Sequence, residues 1–173
     1  STEAGLNARD MFAKPRKAYV LLGVEPEMDC WDGADALKAL QQAEKVVAMT
    51  SFVTPTMKEY ADVLLPIGSF GETAGSYVNA EGLWQSFGGA SRPMGEVRPA
   101  WKVLRVLGNL LHVADFDYMA PDDVTNAARA AIGTAEASAP KFSHEISNEK
   151  VEGFTRVAET ALYGTDPLVR RAD

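Results

Sequence analysis

Six residues stand where this chain would have to meet a ligand. Gly23, Glu25, Thr50, Ser51, Glu72 and Asn79 lie at or soon after the ends of three apolar runs, residues 18–24, 45–50 and 63–66. If those runs are parallel strands, their carboxyl ends form the rim where open α/β sheets bind ligands. Two carboxylates, two hydroxyls and an amide could line a polar pocket there. Glu72 and Glu81 could act together as acid and base, but nothing in the sequence fixes their separation, so no catalytic residue is assigned.

Other chemistries lack the residues they need. Cys30 is the one cysteine, whereas an iron–sulfur cluster asks for four thiolates. His112 and His144 are too scattered to complete a zinc site with it, so no metal ligand is assigned. No G-x-G-x-x-G, P-loop or G-x-S-x-G sequence occurs. A net charge of −7 argues against nucleic acid as a partner. No apolar run reaches the roughly 18–20 residues that span a bilayer, so direct membrane insertion is not expected. Residues 1–14 are polar and mixed in charge, unlike a signal peptide, and no initiator Met is present. The expectation is a piece of a longer polypeptide.

The elements that must position the rim follow from periodicity. A short helix through residues 6–13 precedes the first run, which mixes β-branched and aromatic residues as a strand buried on both faces does. Asp32 is placed to cap a helix carrying Leu37, Leu40 and Ala43. Thr54 caps a short helix with Pro55 at its start. Strand, helix, strand, helix, strand predicts α/β architecture: a Rossmann-like half of a doubly wound parallel sheet. Seven glycines between Gly68 and Gly95 then break the rhythm. Two strands through residues 76–79 and 83–87 are expected, joined by a turn with Gly82 left-handed. Pro99 opens a helix in which Trp101, Leu104, Leu107 and Leu111 form one stripe that Val103, Val106 and Leu110 widen, predicting that it is mostly buried. A last helix starts near Pro121 and stops at Gly133. The predicted division is an α/β domain over 1–133, then a linker and weakly structured tail over 134–173.

Particular motifs add a family resemblance. Ala61-Asp62-Val63-Leu64-Leu65-Pro66, followed by Glu72, Gly75, Asn79, Glu81, Gly82 and Gln85 at their observed spacings, resembles a stretch of the molybdopterin oxidoreductase superfamily. Gly23-Val24-Glu25-Pro26-Glu27-Met28-Asp29 and Gly95-Glu96-Val97-Arg98-Pro99-Ala100-Trp101-Lys102-Val103-Leu104 are similar to segments of the large iron–sulfur subunit of bacterial NADH–quinone oxidoreductase (respiratory complex I), as is the tail from Tyr163 to Ala172. The resemblance implies electron transfer from NADH to quinone by the whole subunit, with its iron–sulfur clusters held upstream of Ser1. It implies other subunits of the peripheral arm as partners and a place on the cytoplasmic side of the inner membrane. The chain departs from cofactor-binding members at two positions. Glu25 stands where an Asn meets the nucleotide part of a pterin dinucleotide, and Leu83 where Arg is common. A carboxylate gained and a cation lost both oppose phosphate binding. The expectation is a cofactor-free scaffold in which the rim residues are a vestigial pocket. The alternatives are part of the pterin-dinucleotide domain of an active formate dehydrogenase or nitrate reductase, and a free-standing α/β module for a small ligand.

Overall fold

A computed structural model describes residues 5–30, 32–132, 153–154 and 162–172. Two compact units divide the chain, residues 1–131 and 132–173. In the first, α1 (Ala8–Ala13) leads into β1 (Ala18–Leu22), then α2 (Pro26–Asp29), α3 (Gly33–Gln41), β2 (Lys45–Thr50), α4 (Met57–Tyr60) and β3 (Val63–Pro66). The hairpin β4 (Gly75–Val78) and β5 (Trp84–Phe87) follows, then α5 (Ala100–Leu110) and α6 (Pro121–Ile132).

The three apolar runs form a parallel sheet in the order β1-β2-β3. The fold is α/β, as the alternation of strands and helices predicts. Asp32 caps α3, its Oδ1 accepting the Asp35 N–H at 2.9 Å. Thr54 Oγ1 accepts the Met57 N–H at 2.9 Å, but α4 begins at Met57 with Thr56 as its N-cap, two residues later than the predicted start at Pro55. Asp62, at the α4–β3 junction, reaches across the sheet instead of to its own neighbours. Its carboxylate accepts the Val46 N–H at 2.7 Å and a Lys45 Nζ proton at 3.2 Å, fixing where β2 begins beside β3.

Helices cover one face of the sheet; the other, which the composition predicts to be buried as well, is buried at Met49 but exposed at Val20 and Val63. Tyr19, Leu21, Val46 and Ala48 pack with Ala39 and Leu40 of α3 and with Met57 and Tyr60 of α4. The row Val20–Val47–Val63 belongs to the opposite face, and its outer members are 57% and 43% exposed. The strand order explains the difference. Two successive crossovers of the same hand, advancing in the same direction, deliver both helices to one side.

The hairpin forms as the sequence predicts, with Gly82 at φ +78° closing a turn in which the Asn79 carbonyl accepts the Gly82 N–H at 2.9 Å. A bridge between Ile67 and Arg98 lays the segment before α5 alongside the continuation of β3. On α5, Gly108 is buried beneath the Phe116 ring, where an added Cβ would lie 2.1 Å from the ring. α5 is not mostly buried as predicted, because Val106 and Leu110 are 51% and 72% exposed. α6 begins at Pro121 as expected, and its end at Gly133 lies outside the described residues, as do His144 and most of the tail. In the second unit, Asp166 Oδ1 accepts the N–H groups of Leu168 and Val169, and the Arg170 and Arg171 guanidiniums close onto backbone carbonyls.

Candidate functional site

The sheet places Gly23, Thr50 and Ser51 along one edge, at the carboxyl ends of β1 and β2. Gly23 takes φ +62°, a left-handed turn that glycine adopts without strain, while its N–H donates to the Met49 carbonyl at 2.8 Å. That turn tucks Glu25 inward, and its side chain is buried. The Glu25 N–H donates to Asp29 Oδ2 at 2.7 Å, holding the loop against the first turn of α2. Beside it, the Tyr60 hydroxyl donates to Glu27 Oε2 at 3.3 Å. Burial, followed by the charge of Glu27, raises the Tyr60 phenol well above its usual range.

The other rim residues spend their polar atoms locally. Thr50 is buried and its hydroxyl both donates to the Phe52 carbonyl at 2.7 Å and accepts the Phe52 N–H. Ser51 is exposed. Glu72 Oε2 accepts from the Ser69 N–H at 2.9 Å and the Ser69 hydroxyl at 3.1 Å, closing a capping box on the short turn of residues 70–72. Those Ser69 bonds hold the Glu72 carboxyl below its ordinary range. The spacing Ser69-x-x-Glu72 is itself a capping signature that the sequence offers. Asn79 Oδ1 accepts the N–H groups of Glu81 and Leu83 at 3.0 and 2.9 Å and shapes the hairpin turn. The six residues therefore do not converge. Gly23, Glu25, Thr50 and Ser51 share the sheet edge, whereas Glu72 and Asn79 serve two separate turns.

Three concavities lie elsewhere. One of about 790 Å³ is lined by Arg9 and Phe12 of α1 together with Asp29, Cys30, Asp32 and Asp35. Desolvation, with Asp29 and Glu27 adding to it, raises the Cys30 thiol above its ordinary value. Among the described residues, no three of His, Cys, Asp and Glu are grouped to hold a metal ion. A second concavity separates the hairpin from α6, where Ser76 Oγ lies 2.9 Å from Ser86 Oγ and 3.2 Å from Thr125 Oγ1, and Arg129 sits 4.9 Å from the centre of the Trp84 ring. A third, of about 460 Å³, runs between Leu65 and α5. No described helix is long and apolar enough to cross a membrane.

At the sheet edge the acidic side chain is the buried Glu25, while Leu83 is an exposed aliphatic side chain in the hairpin turn.

Comparison with known proteins speaks to ancestry. The chain is 31% identical over 121 residues to the F420-dependent formate dehydrogenase subunit alpha of Methanocaldococcus jannaschii, covering 69% of this chain and 18% of that protein. It is 32% identical over 133 residues to the assimilatory nitrate reductase catalytic subunit of Bacillus subtilis, covering 73% of this chain and 18% of the relative. A shorter match, 42% over 53 residues, joins it to the mitochondrial NADH-ubiquinone oxidoreductase 78 kDa subunit of Candida albicans, covering 31% of this chain and 7% of that subunit. The chain thus spans less than a fifth of the length of these relatives. The family description "Molybdopterin oxidoreductase" matches residues 2–110, which takes in the whole parallel sheet, the hairpin and α5. The chain belongs to the molybdopterin oxidoreductase family.

Proposed function

We propose that this chain is a structural, cofactor-free portion of a larger redox protein, the large iron–sulfur subunit of an NADH–quinone oxidoreductase. The observation that carries this reading is the inward commitment of the rim. Thr50 at the sheet edge, and Glu72 and Asn79 in the loops that follow, close their own turns. In this reading the iron–sulfur clusters belong to other segments of the longer subunit. This portion supplies shape and contacts to the other subunits of the peripheral arm, on the cytoplasmic side of the inner membrane.

A second reading has equal support from the comparisons. The matches to the formate dehydrogenase and the nitrate reductase run over more than twice as many residues as the match to the 78 kDa subunit. On that reading the chain is part of the pterin-dinucleotide domain of an active oxidoreductase whose cofactor is gripped mainly by residues elsewhere in the protein. Elemental analysis of the purified full-length protein separates the two. Iron without molybdenum, tungsten or pterin fluorescence agrees with the first reading. Stoichiometric molybdenum or tungsten with a fluorescent pterin overturns it in favour of the second.

A further inference from the structure

The groove between β3 and α5 has a composition unlike the rest of this acidic chain. Val103, Val106, Leu107 and Leu110 fall at i, i+3, i+4 and i+7, the spacing of one helical face, and Leu65 supplies the opposite wall. The far side of α5 is already occupied, since Gly108 is packed under Phe116. On the stripe itself Val106 and Leu110 are exposed, whereas Val103 and Leu107 are half-buried.

Three cations flank that stripe: Arg98, Lys102 and Arg105. None has a carboxylate partner among the described residues. Arg98 donates to the carbonyls of Glu96 and Val97, and the Lys102 ammonium lies 5.4 Å from the centre of the Trp101 ring. The Arg105 Nε–H is shielded from solvent and finds no acceptor among the described residues. A shielded donor without an acceptor is a standing cost that an incoming carboxylate would remove. In a chain with net charge −7, three cations bordering one apolar stripe define a complementary ligand.

We propose that this groove seats an acidic amphipathic helix from another part of the same polypeptide. The apolar side of that helix lies on Leu65, Val103, Val106, Leu107 and Leu110, and its carboxylates face Arg98, Lys102 and Arg105. The inference rests on the reading of the chain as a portion of a longer protein. Two magnitudes favour an occupant on the same chain. The relatives are more than five times as long as the stretch this chain matches, so on that reading most of the polypeptide lies outside these residues. A tethered helix is present at an effective concentration on the order of millimolar and needs far less contact to dock.

The test is a photo-crosslinking amino acid placed at position 110 of the full-length protein, with the product mapped by mass spectrometry. The expected result is an intramolecular crosslink to a helix with carboxylates beside an apolar stripe. Combining Lys102→Glu with Arg105→Glu should cut its yield about tenfold, the effect of 1.4 kcal/mol. Changing the mapped carboxylates to lysine should restore the yield in that double variant. A crosslink to a second copy, to a separate protein or to an anionic amphiphile overturns the proposal. So does the absence of a crosslink, or a yield indifferent to charge reversal in protein whose melting temperature is unchanged. The intact mass distinguishes the two layers. A gene product no longer than these 173 residues sinks the reading as part of a larger protein, and with it the tethered occupant, whereas a long product with an empty groove sinks the groove alone.

Discussion

Replacing Gly33 with alanine sets two physical effects against each other, and the structure decides between them. Gly33 is the first residue of α3, where helix propensity alone favours alanine by up to about 1 kcal/mol. An added Cβ would stand 2.2 Å from the Glu27 carbonyl oxygen, 2.9 Å from its carbon and 3.2 Å from the Glu27 Cα. All three atoms are backbone, so no side chain can swing aside. Relief requires α2 and α3 to part by about 1 Å, since unbonded heavy atoms settle near 3.5 Å. The α2 turn resists, because Asp29 holds the Glu25 N–H and Glu27 accepts from Tyr60. Overpacking of this kind costs about 1–3 kcal/mol and occasionally more, so the net effect of Gly33→Ala is a loss of about 1–2 kcal/mol. For a chain of this size that is a fall of about 2–8 °C in Tm by differential scanning calorimetry. Gly71→Ala is the control, because nothing lies within 4 Å of the Cβ it would add. It should stay within about 0.5 kcal/mol of the parent. A Gly33→Ala protein that melts at or above the parent temperature would refute the packing of α2 against α3.

Met57 is fully buried in the core, so Met57→Ala should cost about 2–5 kcal/mol in urea unfolding, and a smaller loss would mean the core collapses readily around it. The Asp62 carboxyl titrates below its ordinary value, chiefly because of the Val46 N–H and then Lys45. A carboxyl whose folded pKa is depressed adds stability above its unfolded pKa and loses it as pH falls through the folded value. Asp62→Asn should therefore lower the urea midpoint near neutrality and converge with the parent in strong acid; parallel curves at every pH would contradict this. Burial and the neighbouring Asp29 and Glu27 raise the Cys30 thiol, so iodoacetamide should alkylate it more slowly at neutral pH than it alkylates free cysteine. Equal or faster labelling would show that the thiol is not held in this environment.

Local chemistry was the most legible part of the sequence. The strand runs, the Asp32 cap and the left-handed Gly82 all depend on neighbours within a few residues, and each stands where its sequence puts it. Coverage was less legible. Residues 18–24 have the composition of a strand enclosed on two sides, but whether helices reach both faces depends on the direction of the crossovers, a property of strand order rather than of any strand. The same holds for α5, whose broad apolar surface is compatible with burial on either side. The role of Asp62 is not legible from its neighbours, because its partner, Val46, is distant in sequence and adjacent only once β2 and β3 pair. At the rim, residue type and order suggested a pocket. The hydroxyl of Thr50 and the carboxylate of Glu72 instead satisfy their own loops, a choice that competition between local and ligand hydrogen bonds settles.

The exposed Val20 and Val63, on either side of the half-buried Val47, govern how the chain behaves as a colloid. An apolar strip on an otherwise hydrated surface is tolerated while electrostatic repulsion keeps molecules apart. Here that repulsion comes from a net charge of −7, which vanishes near the isoelectric point of about 4.9. Salt weakens it as well, because the screening length shrinks to about 3 Å at molar ionic strength. Solubility of the isolated chain is therefore greatest at neutral pH and low salt, and purification by salting out or in acidic buffer works against the molecule.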